Sequence, residues 1–540
     1  MPNPSRSWRS CGEIALIVAA VLMVYSQVLG HGFVALDDGL YVSSCAQVRK
    51  GLTWEGFLWA WTNFDAANYH PLTWLSYMAD VAVFGIEPGW IAFENALLHA
   101  LNGWLVLRLL QELGCSRGGA LLGALVFVVH PVNVESVAWI SQRKTVLAAA
   151  FGLAALLLYL HRAQRGVSPV GGWVLVCFAA SLLAKPWFVV LPVLLLVLDE
   201  VVLRRLERGA AVEGGRQRRL VERLRPVLVE KIPLGVVLAG AVVLALLAQK
   251  SVGAIATLQK VPFLFRIENA LVSLIAYVAD FLSPGGLSVF YPSPAAYSVA
   301  QLWAPALLAL ALASAVLVTW RRQPAVAGGV LWFLLFLLPV IGLVQVGEQA
   351  RADRYLYLPL IGLIWIGVWG LERARGHLRP WLRNAVLVLA VGWLGFTAFI
   401  TYRQVSYWKN TYLLVMHSLK VVGPTRPLVS MLGSTYLELG DPQLALPLFE
   451  ALARQKNPVL RDVISYAQSL HAVGRHREAI EVCRQVVAYD ARNYYAHAYL
   501  AVWLLEAGEP VQAAEHADKM RAIGPPYGHV PFDPKTVPVP

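Results

Sequence analysis

The chain has 540 residues, of which 58% are hydrophobic and only 14% charged, and its mean hydropathy is +0.57. Soluble domains carry about 25% charged residues, so a water-soluble globular protein is excluded for the chain as a whole. The net charge of +12 sits in short loops between long apolar runs, which points to membrane topology and not to nucleic acid.

A spanning helix needs about 20 mostly apolar residues. Such segments are predicted at 13–30, 91–110, 118–131, 145–160, 169–184, 186–202, 231–249, 300–320, 325–345, 355–371 and 381–402. The fold class expected is all-α: a polytopic bundle of about eleven spans followed by helical repeats. The first apolar run is long and no small-residue cleavage site follows it before Asp37, so it reads as a retained helix and not a signal peptide. Five cysteines, Cys11, Cys45, Cys115, Cys177 and Cys483, are scattered and odd in number, which gives neither a disulfide framework nor a metal knuckle.

Positive residues favour the cytoplasmic side. Arg6 and Arg9, Arg108 and Arg117, His161 to Arg165, Arg321 and Arg322, and Arg373 to Arg383 form basic turns, and Arg204 to Lys231 forms the longest basic loop. Eleven spans place all of these on one side if 266–283 lies on the outer surface or re-enters. The N-terminus is then cytoplasmic and everything after 402 is outside. Compact loops point to a bacterial inner membrane with a periplasmic C-terminal region.

After 402 the apolar stripes alternate with charge. Gly440, Gly474 and Gly508 recur every 34 residues, and Ala445, Ala479 and Ala513 keep the same register. Thirty-four residues is the tetratricopeptide period, with one helix–turn–helix unit per repeat. The expected organisation is a transmembrane domain over 1–402, a linker over 403–425, repeats over 426–524 and a proline-rich, extended tail over 525–540. Such repeats serve either as a stabilising cap or as a groove for a peptide or partner protein.

Polar residues in the outer loops are those that membrane insertion does not explain. Asp37 and Asp38 follow the first helix. A carboxylate there can act as a general base, although Asp-Gly is also a common turn. In HPVNVESVAWISQRK, His130 to Lys144, the residues Glu135, Arg143 and Lys144 enter an otherwise apolar region. Arg offers a fork of donors and Lys a point charge, a combination suited to phosphate; the structural alternative is snorkelling at a helix end. Lys185 stands alone between two apolar runs. In GEQARADRYLYLP, Arg351, Arg354 and Tyr357 sit at the start of a later span. Phosphate loops and HExxH are absent. His130 and Glu135 with Asp37 or Asp38 are a conceivable divalent-metal set, with hydrogen bonding as the favoured role.

In this order, the Asp pair, HPVNVESVAWISQRK, LLAKPWFVVLPVLLLVLDE, RADRYLYLPLIG and the C-terminal repeats resemble the TMTC-type O-mannosyltransferases and their bacterial relatives. More distantly they resemble the protein O-mannosyltransferases of the GT-C fold. The resemblance implies an inverting glycosyltransferase that moves a sugar, often mannose, from a polyprenyl- or dolichyl-phosphate donor to a hydroxyl acceptor on the non-cytoplasmic side. By matching position it implies Asp37 or Asp38 as catalytic base. It implies Arg143, Lys144, Lys185, Arg351 and Arg354 as donor-phosphate ligands, and His130, Glu135 and Tyr357 as residues that shape the site. The chain departs from the family pattern at Asn133, Pro186 and Asp353, which bears on the acceptor and on any metal more than on the reaction type. A transporter or lipid flippase, or a non-catalytic scaffold whose repeats recruit partners, are the other classes compatible with a polytopic chain. The absence of an inverted repeat of spans argues against the first, and the excess of spans over one anchor argues against the second.

Overall fold

The computed structural model describes residues 4–64, 68–205, 220–252, 261–344 and 347–524. The central part of the basic loop, 206–219, and the proline-rich tail, 525–540, lie outside the described residues. Among the described residues the regular structure is helical, and the sole β feature is an isolated bridge between Pro292 and Gln349. The chain divides into two compact units, one of residues 1–32 with 51–408 and one of 33–50 with 409–540.

In the first unit every predicted span overlaps a helix, although the helix in 325–345 ends at Leu337 and 186–202 is a 3-10 turn followed by a short helix. The main ones are Pro4–Tyr25, Pro88–Glu112, Arg117–Val129, Arg143–Gln164, Gly172–Ala184, Leu191–Val201, Ile232–Val252, Val299–Thr319, Pro324–Leu337, Pro359–His377 and Pro380–Tyr407. Proline at the first turn starts several of them, because its fixed φ suits that position and its missing N–H is not needed there. Ser116 caps the helix behind it by accepting from Gly119 N at 3.2 Å. Pro131 and Trp139 interrupt the next stretch, and the helical pieces 117–129 and 131–138 meet at 51°.

Among the described residues four helices are long and apolar enough to cross a membrane, or five if that bent pair is one span. This is fewer than the eleven expected from the sequence. The remaining segments are short, as in Gly172–Ala184 and Pro324–Leu337, are broken at prolines such as Pro186, or carry polar residues such as Asn95, His99 and Asn102. The outward faces are apolar: Leu310, Leu317, Val318, Val388 and Leu389 are all exposed. Hydrocarbon of this kind on a helix surface requires lipid as its solvent, and the chain is an integral membrane protein. Inside, small residues allow close packing. A Cβ on Gly362 would stand 2.4 Å from the Gly329 carbonyl oxygen of the neighbouring helix.

The segment 266–283 belongs to a helix, Phe263–Leu282, with a buried polar stripe of Arg266, Asn269, Ser273, Tyr277 and Asp280. At one end of the unit, Arg117 pairs with Glu13, and Glu372 accepts from the Ser116 hydroxyl at 2.6 Å. Lys231, Asp199, Tyr159, Arg205 and Glu230 form a second charge network, in which Lys231 Nζ lies 2.5 Å from Asp199.

The second unit holds three helix pairs, Arg426–Glu438 with Pro442–Ala453, Leu460–Ala472 with His476–Tyr489, and Tyr494–Glu506 with Pro510–Ile523. Gly440, Gly474 and Gly508 follow the first helix of each pair with φ of 79°, 85° and 80°, a conformation that costs a side chain dearly and glycine little. Ala445, Ala479 and Ala513 are buried at the crossing of the paired helices. The stretch read as a linker, 403–425, is helical: it contains the end of Pro380–Tyr407 and a further helix, Thr411–Val422, whose cap Asn410 accepts from Leu413 N at 2.9 Å. Residues 33–50 belong to this second unit, and Ala35 N donates to Thr411 Oγ1 at 2.9 Å.

Candidate active site

Asp37 and Asp38 lie in the second unit. Asp38 is buried, and its carboxylate accepts the backbone N–H of Val34 at 3.0 Å, closing the turn. Asp37 is half-buried. The pair thus splits into one carboxylate that builds the loop and one that solvent or a ligand can reach.

The other candidates lie in the first unit and occupy three distinct settings. Arg143 is fully buried. Its Nη2 lies 2.8 Å from Asp80 and its Nη1 3.2 Å from Glu94, while Nε donates to Asn95 Oδ1 at 2.5 Å and Nη2 to the Ile91 carbonyl at 2.8 Å. The guanidinium also stands 5.5 Å from the Tyr77 ring. Nε and Nη2 are thus hydrogen-bonded within the protein while Nη1 is buried beside Glu94 without a hydrogen bond, and the setting is that of a buried ion pair. Tyr77 and Asn95 add to the same joint by donating to the Ile140 carbonyl at 2.7 and 3.3 Å, which holds the bend after Trp139.

Arg354 forms the second setting. Its guanidinium pairs with Glu135, and its backbone N–H donates to the other Glu135 oxygen at 2.8 Å. It also lies 5.5 Å from Trp139 and 5.0 Å from Tyr355. Nearby, Arg351 pairs with Asp280, 3.7 Å from the Tyr291 ring, and the Tyr291 hydroxyl donates to Asp353 at 2.7 Å. Burial, reinforced by the charges of Glu135 and Asp280, pushes the Asp353 carboxyl well above its usual range. The loops 283–298 and 347–358 are thereby held to the polar stripe of Phe263–Leu282.

Lys144 and Lys185 form the third. Lys185 Nζ donates to Thr145 Oγ1 at 2.8 Å and lies 4.8 Å from the Trp187 ring. Both lysines are half-exposed. Both act on the buried His70, whose imidazole is held well below its usual range by burial first and then by these two charges. Of the five cations read from the sequence, Arg143, Arg351 and Arg354 are each matched to carboxylates, and Lys185 bonds the residue that follows Lys144.

His130 is buried. Its Nδ1 accepts from Val132 N at 3.4 Å, so Nε2 carries the proton and donates to the Phe281 carbonyl at 3.1 Å. With both Glu135 oxygens on Arg354, neither residue fits a metal ligand set. No group of three or more metal-binding side chains occurs among the described residues. Tyr357 sits in the bundle interior and not at a loop surface: it donates to His99 Nδ1 at 2.8 Å and accepts from Asn102 at 3.0 Å.

Sequence reasoning missed His70, Asp80, Glu94, Asn95, Asp280 and Tyr291. A signal existed for some of them. Asn95, His99 and Asn102 are spaced by four and three on one face of Pro88–Glu112, and Arg266 to Asp280 repeat at the same helical interval.

No family model matches the chain. Among curated proteins, it is 31% identical over 193 residues to protein O-mannosyl-transferase TMTC1 of Mus musculus, a match covering 34% of this chain and 20% of that protein. It is 34% identical over 145 residues to protein O-mannosyl-transferase TMTC2 of Mus musculus, over 26% of this chain and 17% of that protein. The chain thus matches about a fifth of the length of these relatives. An Archaeoglobus fulgidus oligosaccharyltransferase, solved tethered to an acceptor peptide containing the NVT sequon, overlaps 80% of this chain and 59% of its own at 13% identity with a TM-score of 0.37. The resemblance read from the motifs is to the same group that these sequence matches identify: over about a third of its length the chain is similar to the TMTC protein O-mannosyl-transferases.

Proposed function

We propose that the chain is a membrane glycosyltransferase that moves a sugar, mannose by its resemblance, from a polyprenyl-phosphate donor to a hydroxyl of a protein Ser or Thr, with inversion. The observation that carries the reading is the sequence likeness to protein O-mannosyl-transferases; the hydrogen bond from Lys185 to Thr145, the residue after Lys144, brings two of the basic segments together and supports it. Asp37, the more accessible of the two carboxylates, takes the proton of the acceptor hydroxyl as its oxygen attacks the sugar carbon. The bond from that carbon to the phosphate oxygen breaks, and the electron pair leaves with the lipid phosphate. Lys144 and Lys185 hold the charge that develops there. Asp38 keeps the Asp37 turn in shape. Arg354, fixed by Glu135, and Arg351, fixed by Asp280, order the loop 347–358, and Arg143 braces the bend before Lys144. His130 and Tyr357 act through packing.

The finer topology follows the sequence reading. We place the N-terminus and the basic turns in the cytoplasm, with eleven spans. The meeting of Glu13, Arg117 and Glu372 supports a common side for three of the turns. The C-terminal helix pairs, read as tetratricopeptide repeats, lie in the periplasm of a bacterial inner membrane and offer the protein acceptor.

The test is transfer from labelled polyprenyl-phosphate mannose to endogenous acceptors in membranes at matched expression. Asp37→Asn lowers the rate by about 10²–10⁴-fold, and Lys185→Met lowers kcat/KM by about 10–100-fold, the loss of one charged hydrogen bond. Wild-type membranes that transfer neither mannose nor any other lipid-linked sugar would defeat the reading.

A further inference from the structure

A short helix in the first unit, Trp54–Thr62, carries apolar surface that no predicted span accounts for. It lies in the loop before Pro88–Glu112. Thr53 caps it by accepting from Gly56 N at 3.0 Å, and the Tyr69 hydroxyl donates to the Trp61 carbonyl near its end at 3.0 Å. One face packs on the helix Pro71–Phe84. Gly56 and Ala60 are buried there, a Cβ on Gly56 would stand 3.1 Å from the Met78 sulfur, and Trp59 meets Trp74 edge to face with centroids 5.0 Å apart. The opposite face is made by Trp54, Phe57, Leu58 and Trp61, which stand at i, i+3, i+4 and i+7 and so form one stripe. All four are exposed, Trp54 by 73%. Trp54 and Phe57 stack with centroids 5.3 Å apart, which makes the stripe a continuous aromatic surface. Glu55 and Thr62 border it by helical position.

The stripe continues into the lipid-facing surface. Leu52, exposed, precedes it, and Gly51 packs on the helix Pro71–Phe84, where its added Cβ would lie 3.4 Å from Ala82 Cα. Val83 and Phe84 follow Ala82 and are exposed, and Phe84 stacks on Trp90 with centroids 5.5 Å apart. Trp90 in turn heads a line of exposed side chains, Trp90, Leu97 and Leu101, along Pro88–Glu112. We propose that Trp54–Thr62 is an interfacial helix, lying flat in the bilayer surface at the N-terminal end of Pro88–Glu112, with its aromatic stripe in the boundary between headgroups and acyl chains. That surface is the outer one in the topology given above. The inference goes beyond the transferase reading and takes from it only the placing of Pro88–Glu112 as a span. Exposed apolar surface of this extent marks a membrane or protein contact, and its run onto the flank of a span selects the membrane. Tryptophan suits the boundary, since its ring is apolar while its indole N–H bonds headgroups and water. A helix of this kind buries its apolar face by about 5–10 Å.

The experiment uses the full chain in vesicles of phosphatidylethanolamine and phosphatidylglycerol. A diazirine amino acid replaces Phe57, Leu58 or Leu97, one position at a time, and mass spectrometry identifies what each probe captures on irradiation. Leu97, on the exposed line of Pro88–Glu112, is the reference for a side chain in the bilayer. All three positions are surface or half-buried sites, and the Leu97 product reports whether the labelled chain has inserted. Phospholipid adducts are expected as the main product at Phe57 and Leu58, as at Leu97. Water adducts at Phe57 and Leu58, with lipid at Leu97, overturn the proposal. Cross-links from Phe57 and Leu58 to a second copy of the chain overturn it as well and make the stripe a protein interface. Lipid adducts at Phe57 and Leu58 but not at Leu97 uphold the interfacial helix and remove the span, so the two failures are distinguishable.

Discussion

Removing Arg143 should unfold the bundle before it affects any ligand. The guanidinium is fully buried between Asp80 at 2.8 Å and Glu94 at 3.2 Å, with Asn95 and the Ile91 carbonyl completing its shell. Asp80 is buried as well, whereas Glu94 is about a third exposed and can rehydrate. Arg143→Met therefore strands one buried carboxylate, and breaking a buried pair from one side costs about 3–5 kcal/mol. Asp80→Asn leaves Glu94 and Asn95 in place and should cost less, about 1–3 kcal/mol, the scale of a lost charged hydrogen bond. In the double variant neither stranded charge remains, so its loss should fall short of the sum by about 2 kcal/mol or more, within the range seen for directly contacting residues. The assay is reversible unfolding of the full chain in detergent, with the four proteins of the cycle compared at one pH. A stable Arg143→Met protein that has lost only affinity for a lipid phosphate would refute the reasoning and return Arg143 to the role first expected from the sequence, a phosphate ligand.

Three further outcomes are expected. Gly474→Ala should destabilise the C-terminal unit by about 1–2 kcal/mol, because φ of 85° is left-handed; hydrogen exchange of residues 460–489 reads it, and a variant as protected as wild type would count against the turn assignment. Burial and the neighbouring His497 hold the His516 imidazole below its usual range. Its contribution to folding is therefore complete above about pH 6.5 and is lost as the pH falls below that value, since protons bind the unfolded chain more readily. The protection factors of residues 494–523, corrected for the intrinsic exchange rate at each pH, should fall as the pH is lowered from about 7.5 to about 5.5, and His516→Gln should flatten that change. Glu135→Gln removes the charge opposing Arg354 while keeping an acceptor for its backbone N–H; the loop 347–358 should become more sensitive to protease, at a cost of about 1–3 kcal/mol, and unchanged cleavage would show that the ion pair does not hold it.

The helices were legible because their determinants are local. Apolar runs, prolines such as Pro88, Pro324 and Pro380 at first turns, and caps such as Ser116 act within a few residues of where they stand. The glycines 34 residues apart likewise announced turns whose φ only glycine adopts cheaply. The group of proteins that the chain resembles was also readable, since short ordered motifs survive in one dimension. The partners of the outer-loop cations were not. Five basic residues were candidates for one phosphate in the sequence, yet Arg143 is matched to Asp80 and Glu94, Arg351 to Asp280 and Arg354 to Glu135, and Lys185 bonds Thr145. Those pairings join residues tens to hundreds of positions apart. Coulomb energy depends on separation in space and on the water excluded between charges, and only the folded chain specifies either.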